Sequence, residues 1–201
     1  MGELKQYFKT LKDPSKINLN QIHETMTKSI SDSDLVKYFG KRFKNHIISF
    51  SELSKYKTIQ QLLPKDNDFK MILIEQQPNQ GHWCLILRYN NVIEYFDPYG
   101  GNPFMHVDNL PKALNDFLDQ HREYFKKILD EALLHGMKVI YNKNRFQLYG
   151  DHINTCGRHC ILRAIMLSHF HQSLYDYIKW MDMIKKYYYL NADEIVSMLI
   201  P

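Results

Sequence analysis

Cysteine is scarce in this chain: Cys84, Cys156 and Cys160 are the three among 201 residues. So small and odd a count does not build the disulfide framework of a secreted mini-domain, and it points to an intracellular, reducing setting. No apolar run approaches the roughly 20 residues that cross a bilayer. No basic-then-apolar leader opens the chain, so no membrane partner is expected. Met1-Gly2 begins like an acylation signal, but Gln6 stands where Ser or Thr is required. Charge of one sign is not in excess either: 26 Lys and Arg face 22 Asp and Glu, a net +4. The basic residues are spread along the chain, whereas counter-ion release on nucleic acid needs a clustered patch, so the charge permits DNA contact without arguing for it. Internal repeats, low-complexity tracts and linker-like stretches are missing as well.

What is present is apolar and aromatic. Hydrophobic residues make up 44% and aromatics 13%, enough for one domain, residues 1–201, with a real core. Residues 1–30 are Lys-rich with weak periodicity and read as an arm or loosely packed lead-in. "SDSDLVKYFGKRFKNHI" places Leu35, Val36, Phe39, Phe43 and Ile47 at helix spacing, and "TIQQLL" is a short helical piece ended by Pro64. A strand-rich block follows. "FKMILIE" is a buried strand, Pro78-Asn79-Gln80-Gly81 a turn, and "HWCLILRY" and "VIEYF" flank Asn90-Asn91 as a tight hairpin. Residues 108–135 return to helix, with Leu114, Phe117, Leu118, Phe125, Ile128 and Leu129 at apolar spacing. "KVIYN" is a short strand, helices cover about 156–170 and 174–188, and Asn191-Ala192-Asp193-Glu194 resembles a capping box. The fold class is α+β, a small mixed sheet flanked by helices.

The chemistry concentrates in Cys156-Gly157-Arg158-His159-Cys160. On a helix, side chains four apart keep their Cβ atoms roughly 5–6 Å from one another, too far for the about 3.5–4.5 Å of a disulfide. His152, Cys156, His159 and Cys160 could offer zinc ligands, but at a spacing that matches no common ribbon or finger. Cys160 continues into Ile161, Leu162, Ile165 and Met166 and reads as core. Cys156 stands where the helix begins, and unpaired N–H groups and the partial positive charge there favour thiolate over thiol. Gly157, without a side chain, lets a substrate carbonyl approach the backbone. A cysteine nucleophile needs an imidazole held by a third group. His159 is the local candidate, but no orienting carboxylate is evident for it.

The hairpin supplies another. With Asn90-Asn91 as the turn, Tyr89 pairs with Val92 and Cys84 faces Asp97, so His82, Cys84 and Asp97 share one sheet face. His82 and Asp97 become diagonal neighbours with Cα atoms roughly 7–8 Å apart. A one-residue slip would send Asp97 to the other face. Taken alone, the pattern leaves open that His82 is a surface histidine and Asp97 an ordinary Asp-Pro turn residue.

With these residues in place the chain resembles the adenovirus-type maturation proteases and the related SUMO-deconjugating cysteine proteases, whose active-site order is His, Asp or Glu, Gln, Cys. "GHWCLILRY" is similar to the family's His-Trp strand. "EYFDPYG" resembles the strand ending in an acidic residue, and "RFQLYGDHINTCGRHC" the Gln…Cys-Gly segment. "TCGRHC" is most like homologues of large DNA viruses and virophages. The match spans about residues 69–170. The resemblance implies a fold with the nucleophile at the N-terminus of a central helix. It implies Cys156 as nucleophile, His82 as general base and acid, and Asp97 as orienter. Gln147 would be an oxyanion-hole side chain beside the Cys156 N–H. Trp83 would narrow the cleft, or simply pack in the core, and Gly157 would border the substrate. The Gln147-to-Cys156 interval is longer than in these relatives and the His82-to-Asp97 interval slightly shorter.

The function so implied is a cysteine endopeptidase that processes viral precursor polypeptides after glycine during particle maturation, in the host cytoplasm, virus factory or virion. It would need no cofactor, though members of the adenoviral type can be stimulated by DNA or a peptide. Three other expectations are a deconjugating protease acting on ubiquitin- or SUMO-like modifiers, an acetyltransferase of the same catalytic order, and a non-enzymatic zinc-binding module.

Overall fold

The computed structural model describes residues 14–39 and 45–201. Its centre is set by the hairpin. Asn90 and Asn91 take φ of 46° and 63°, the left-handed pair a two-residue turn demands and asparagine tolerates. That turn locks β3 (Gln80–Tyr89) against β4 (Val92–Phe96), pairing Tyr89 with Val92 and Leu85 with Phe96. β2 (Asp68–Gln77) runs antiparallel on the other side of β3, with a register shift between Glu75 and Gln77. β1 (Ile47–Ser49) and β5 (Lys138–Tyr141) add parallel edges, giving a five-stranded sheet in the order β1-β2-β3-β4-β5.

Both faces are covered, so the strands read as apolar runs rather than alternating ones. Trp83, Leu85, Leu87 and Phe96 face the long helix Cys156–Phe170. Cys84, Ile86, Ile93 and Tyr95 face Phe125, Ile128 and Leu129 of the helix Arg122–Leu134. Helices are α1 (Leu19–Met26), α2 (Asp32–Phe39), α3 (Ile59–Leu62), α4 (Met105–Asn109), α5 (Lys112–Phe117), α6 (Arg122–Leu134), α7 (Cys156–Phe170), α8 (Leu174–Tyr188) and α9 (Ala192–Leu199). Every residue of α7 from Gly157 to Leu167 is buried, the signature of a central helix packed on all sides. The architecture is thus a mixed α+β sheet flanked by helices, with Cys156 opening the central one.

Buried polar side chains fix α7 on the sheet. Arg163 donates to both Glu94 oxygens, Nε to Oε1 at 2.8 Å and Nη2 to Oε2 at 2.6 Å. Tyr89 Oη–H reaches Glu94 Oε2 at 2.7 Å, and the Leu174 N–H donates to the same hydroxyl at 3.1 Å.

Three expectations differ from the structure. The helix read through Ile47 is described from Asp32 to Phe39. Phe43 lies outside the described residues, and Ile47 starts β1 because its neighbour Ile48 finds a buried place beside β2. The stretch 108–135 is broken rather than continuous: Pro111 starts α5, a left-handed Asp119 (φ 53°) ends it, and Phe117 points outward at 75% exposure. The lead-in is packed where it is described. Asn18 caps α1, Ile22 is buried, and His23 Nε2 lies 2.9 Å from Glu194 Oε1 on α9. Residues 1–13 of that expected arm lie outside the described residues.

Candidate active site

The site forms where β4 stops. Phe96 is the last β4 residue paired with β3, and Asp97-Pro98 follow; proline has no N–H to continue a ladder. Leu73, opposite Trp83 on β2, turns its carbonyl away to accept from the Phe50 N–H at 2.9 Å. Trp83 therefore presents its own N–H and C=O to the side that β4 has vacated. The start of α7 fills that side. The Trp83 N–H donates to the Cys156 sulfur, and Cys160 Sγ donates to the Trp83 carbonyl at 3.4 Å. Cys160 is otherwise core, fully buried.

Cys156 is half-buried, the first residue of α7 after Thr155. Burial raises its pKa, but the hydrogen bond and charge of His82 and the N–H groups of Trp83 and Gly157 outweigh it, so the thiol is more acidic than usual. Gly157 lies close against this fit. A Cβ there would sit 3.2 Å from Ile30 Cβ and 3.3 Å from Trp83 Cδ1, so a side chain would require these two neighbours to shift by a few tenths of an ångström.

His82 Nε2 lies 2.9 Å from Asp97 Oδ1, with both side chains buried. Against an ionised carboxylate that nitrogen carries the proton, leaving Nδ1 for the thiol. Burial disfavours the imidazolium. Contacts with Cys84, Asp97 and Cys156 reverse this and place the His82 pKa well above the ordinary value. Burial and the nearby Asp97 charge push Cys84 up to about 11, so near neutrality it acts on His82 as a thiol, and Asp97 and Cys156 supply the charge.

Asp97 is hydrogen-bonded at its N–H, its carbonyl and its Oδ1. Its N–H donates to Asn142 Oδ1 at 2.8 Å and its carbonyl accepts from Asn142 Nδ2 at 2.6 Å. Oδ1 also accepts the Tyr99 N–H at 2.9 Å, and Oδ2 faces His106 Nε2 at 2.7 Å. Burial alone would raise its pKa, but the two histidines hold it below the usual carboxylate range. The turn that makes this possible, Asp97-Pro98-Tyr99-Gly100, closes with the Gly100 N–H on the Asp97 carbonyl at 2.8 Å. Tyr99 stacks on the His82 ring at 4.8 Å and Tyr149 stacks on Tyr99 at 4.8 Å.

Gln147 is drawn to the same turn through its backbone: the N–H groups of Phe146 and Gln147 donate to the Pro98 carbonyl at 2.8 and 2.9 Å. The side chain is buried and its Nε2 donates to the Ile153 carbonyl at 3.0 Å. One amide hydrogen is thus committed to its own loop, and the buried Oε1 has no hydrogen-bond partner among the described residues.

Trp83 is 6% exposed; it belongs to the core and also lines an open groove of about 1040 Å³ that reaches Cys156. The other walls are Ser29 to Ser31 from the N-terminal segment, Asn154, and the β2–β3 turn around Gln76 and Gln80. The expected lead-in is therefore one side of the groove. It is tied to the nucleophile's helix: Asn154 donates to the carbonyls of Met26 and Thr27, each at 2.8 Å, and Arg158 donates to that of Lys28.

The zinc ligands that the sequence offered do not converge. His159 is buried against Asp193, Nε2 to Oδ1 at 3.0 Å, Cys160 is in the core, and His152 is exposed. His159 thus has the orienting carboxylate that the sequence did not reveal, but on α9, away from the Cys156–His82 pair. His82, Cys84 and Asp97 do bring one ligand atom each within 4.8 Å, close enough for a metal, although His82 Nε2 and Asp97 Oδ1 already hold each other.

His106, Asn142 and the buried contacts of Asp193 escaped the sequence reading. With ten histidines, nothing local distinguishes His106. Asn142 had a signal, since it ends "KVIYN", but only the parallel pairing of β5 with β4 (Tyr95 with Tyr141) brings it to Asp97.

No protein-family model matches the chain. Uncharacterized protein V9 of Sputnik virophage is 32% identical over 172 residues, covering 85% of this chain and 93% of that protein. A solved structure of the C-terminal Ulp1 protease domain in complex with Smt3, the yeast ortholog of SUMO, aligns with 97% of this chain and 80% of its own, at 17% identity and a TM-score of 0.35.

Proposed function

Because the chain belongs to one family with the virophage protein V9, we propose that it is a viral cysteine endopeptidase that processes virion precursor polypeptides. The observation that carries the reading is the acidified Cys156 at a helix start, hydrogen-bonded to a His82 that Asp97 orients at 2.9 Å. In this reading His82 Nδ1 takes the Cys156 proton and the thiolate attacks the scissile carbonyl. The Cys156 N–H and the uncommitted amide hydrogen of Gln147 stabilise the oxyanion; one such donor is typically worth roughly 2.7–4 kcal/mol in a hydrolase. The imidazolium, held by Asp97, then protonates the leaving amine as the C–N bond breaks, leaving an acyl-thioester. Water, deprotonated by His82, hydrolyses that thioester and restores the thiol.

The groove beside Trp83 would receive the acyl side of the substrate as an extended peptide. Bulk there favours a small residue such as glycine before the scissile bond. Three free thiols fit a reducing, intracellular site of action.

The test is mass spectrometry of virion or co-expressed precursor proteins processed by wild type and by Cys156→Ala. The variant should lose at least ~10⁴-fold in kcat/KM, and unchanged processing by it would end the proposal. Labelling of Cys156 by a ubiquitin- or SUMO-vinyl-sulfone, without precursor cleavage, would move the substrate to modifier conjugates.

A further inference from the structure

The groove that reaches Cys156 has a property the reaction scheme leaves unused. Among the described residues, no charged side chain lines it. The chain carries 26 Lys and Arg and 22 Asp and Glu, so an uncharged wall of this size is not what composition alone would produce.

Strand β2 shows how charge is kept out. Side chains alternate along a strand, so Leu73, Glu75 and Gln77 belong to one face. Leu73 and Gln77 do line the groove. The register shift between Glu75 and Gln77 breaks the alternation and gives that wall Gln76 in place of Glu75. The Glu75 carboxylate is turned onto the Asn79 N–H, with Oε1 accepting at 2.7 Å. The opposite wall, at Ser29 to Ser31, repeats the arrangement. Its neighbouring carboxylate, Asp34, folds back on Ser31: Oδ2 accepts the N–H at 3.0 Å and the hydroxyl at 2.7 Å.

The groove also offers backbone. The Glu75 N–H donates to Gln120 Oε1 at 2.7 Å, and its carbonyl accepts from Gln120 Nε2 at 2.8 Å. Glu75 therefore exchanges no ladder bond with Gly81, the β3 residue opposite it. The Gly81 N–H and C=O face the side that β4 has vacated, as those of Trp83 do two residues on. At Trp83 that side is filled by α7; at Gly81 it is the groove. No other residue fits at Gly81, since a Cβ would meet the Ile74 carbonyl oxygen at 1.9 Å.

On the reading that Cys156 is the nucleophile, we infer that the groove selects an uncharged acyl-side segment. Such a peptide pairs its backbone with Gly81 and carries amide, hydroxyl or small apolar side chains ahead of the small residue at the scissile bond. Pairing at a free strand edge holds the segment extended. The amide wall supplies its side chains with donors and acceptors. An Asp, Glu, Lys or Arg laid against that wall loses part of its hydration and finds no counter-charge, which disfavours either sign.

The probes are three peptidyl vinyl sulfones: acetyl-Gln-Gln-Gly, acetyl-Glu-Glu-Gly and acetyl-Lys-Lys-Gly. The thiolate adds to the vinyl β-carbon and the α-carbon takes a proton. Labelling of Cys156 in the full chain is followed by mass spectrometry, and alkylation by iodoacetamide against pH reports the thiol alone. The Gln probe should label roughly tenfold faster than either charged probe. In Gln76→Lys the ratio of Glu-probe to Lys-probe rates should rise, and in Gln76→Glu it should fall. Equal rates for the three probes overturn the inference and leave the nucleophile in place. A ratio unmoved in both variants overturns it as well. A wild-type Cys156 that titrates like a free thiol towards iodoacetamide overturns the nucleophile reading itself, and the inference with it.

Discussion

Asp97 binds its proton less readily in the folded protein than in the unfolded chain, because His106 and His82 favour the carboxylate more than burial opposes it. In acid the unfolded chain therefore takes up a proton that the folded chain refuses. The stability this group confers is complete above the unfolded value of about 3.9 and is lost as pH falls through the folded value. His82 behaves oppositely: its folded pKa is raised, so its contribution is complete below about 6.5 and is lost as pH rises through the folded value. Asp97→Asn removes the first effect. The wild-type melting temperature should fall more steeply than that of the variant between about pH 5 and pH 2, and parallel curves would refute the assignment. Residue identity at the centre of the site was readable, because one turn signal and a period of two place His82 and Asp97 on the same face. Their supports were not. His106 and Asn142 depend on loop folding and sheet order, which no local pattern encodes.

At the level of elements, the hairpin and α7 were legible for different reasons. Asn90-Asn91 specifies a turn by backbone chemistry, and α7 shows itself as an apolar run after a polar loop. Ile47 was misread because helix spacing and an edge strand look alike over a few residues, and only pairing with Met71 decides. The polar residues within α7 were also opaque. Arg163 looks like an exposed helix residue, yet it is fully buried and bidentate on Glu94. This pair joins α7 to β4, the strand that ends in Asp97, so it fixes the helix carrying Cys156 relative to the strand carrying its partner. Glu94→Gln keeps the shape and leaves the guanidinium buried without a counter-charge. A stability loss of about 3–5 kcal/mol is expected by denaturant titration, and a wild-type midpoint with unchanged slope would show that the charge pairing contributes nothing net.

At the scale of the whole molecule, both ends of the described chain close on the start of α7. α1 packs against α9, with His23 on Glu194, and Arg158 joins them by donating to the carbonyls of Lys28 and Ile200. The decisive link is Asp193 in the first turn of α9. Its carboxylate accepts from Thr155 Oγ1, immediately before the candidate nucleophile, from His159 Nε2 at 3.0 Å, and from the Leu148 N–H at 2.9 Å, immediately after Gln147. One buried side chain thus holds both ends of the loop between Gln147 and Cys156. The sequence disclosed the capping box around Asn191 but not this second use of its neighbour, because a carboxylate at a helix start is expected there for the helix's own sake. Asp193→Ala would orphan two buried donors, Thr155 Oγ1 and His159 Nε2, at about 1–3 kcal/mol each, with less than full additivity, and would release the part-buried Leu148 N–H. A net loss near 3 kcal/mol corresponds to a fall of roughly 6–12 °C in melting temperature for a chain of this size. The loop should loosen with it, so Cys156 alkylation at acid pH should slow even at temperatures where the variant is folded. If the variant melts lower but Cys156 keeps its full acid reactivity, Asp193 supports the fold alone and the C-terminal helix has no hold on the site.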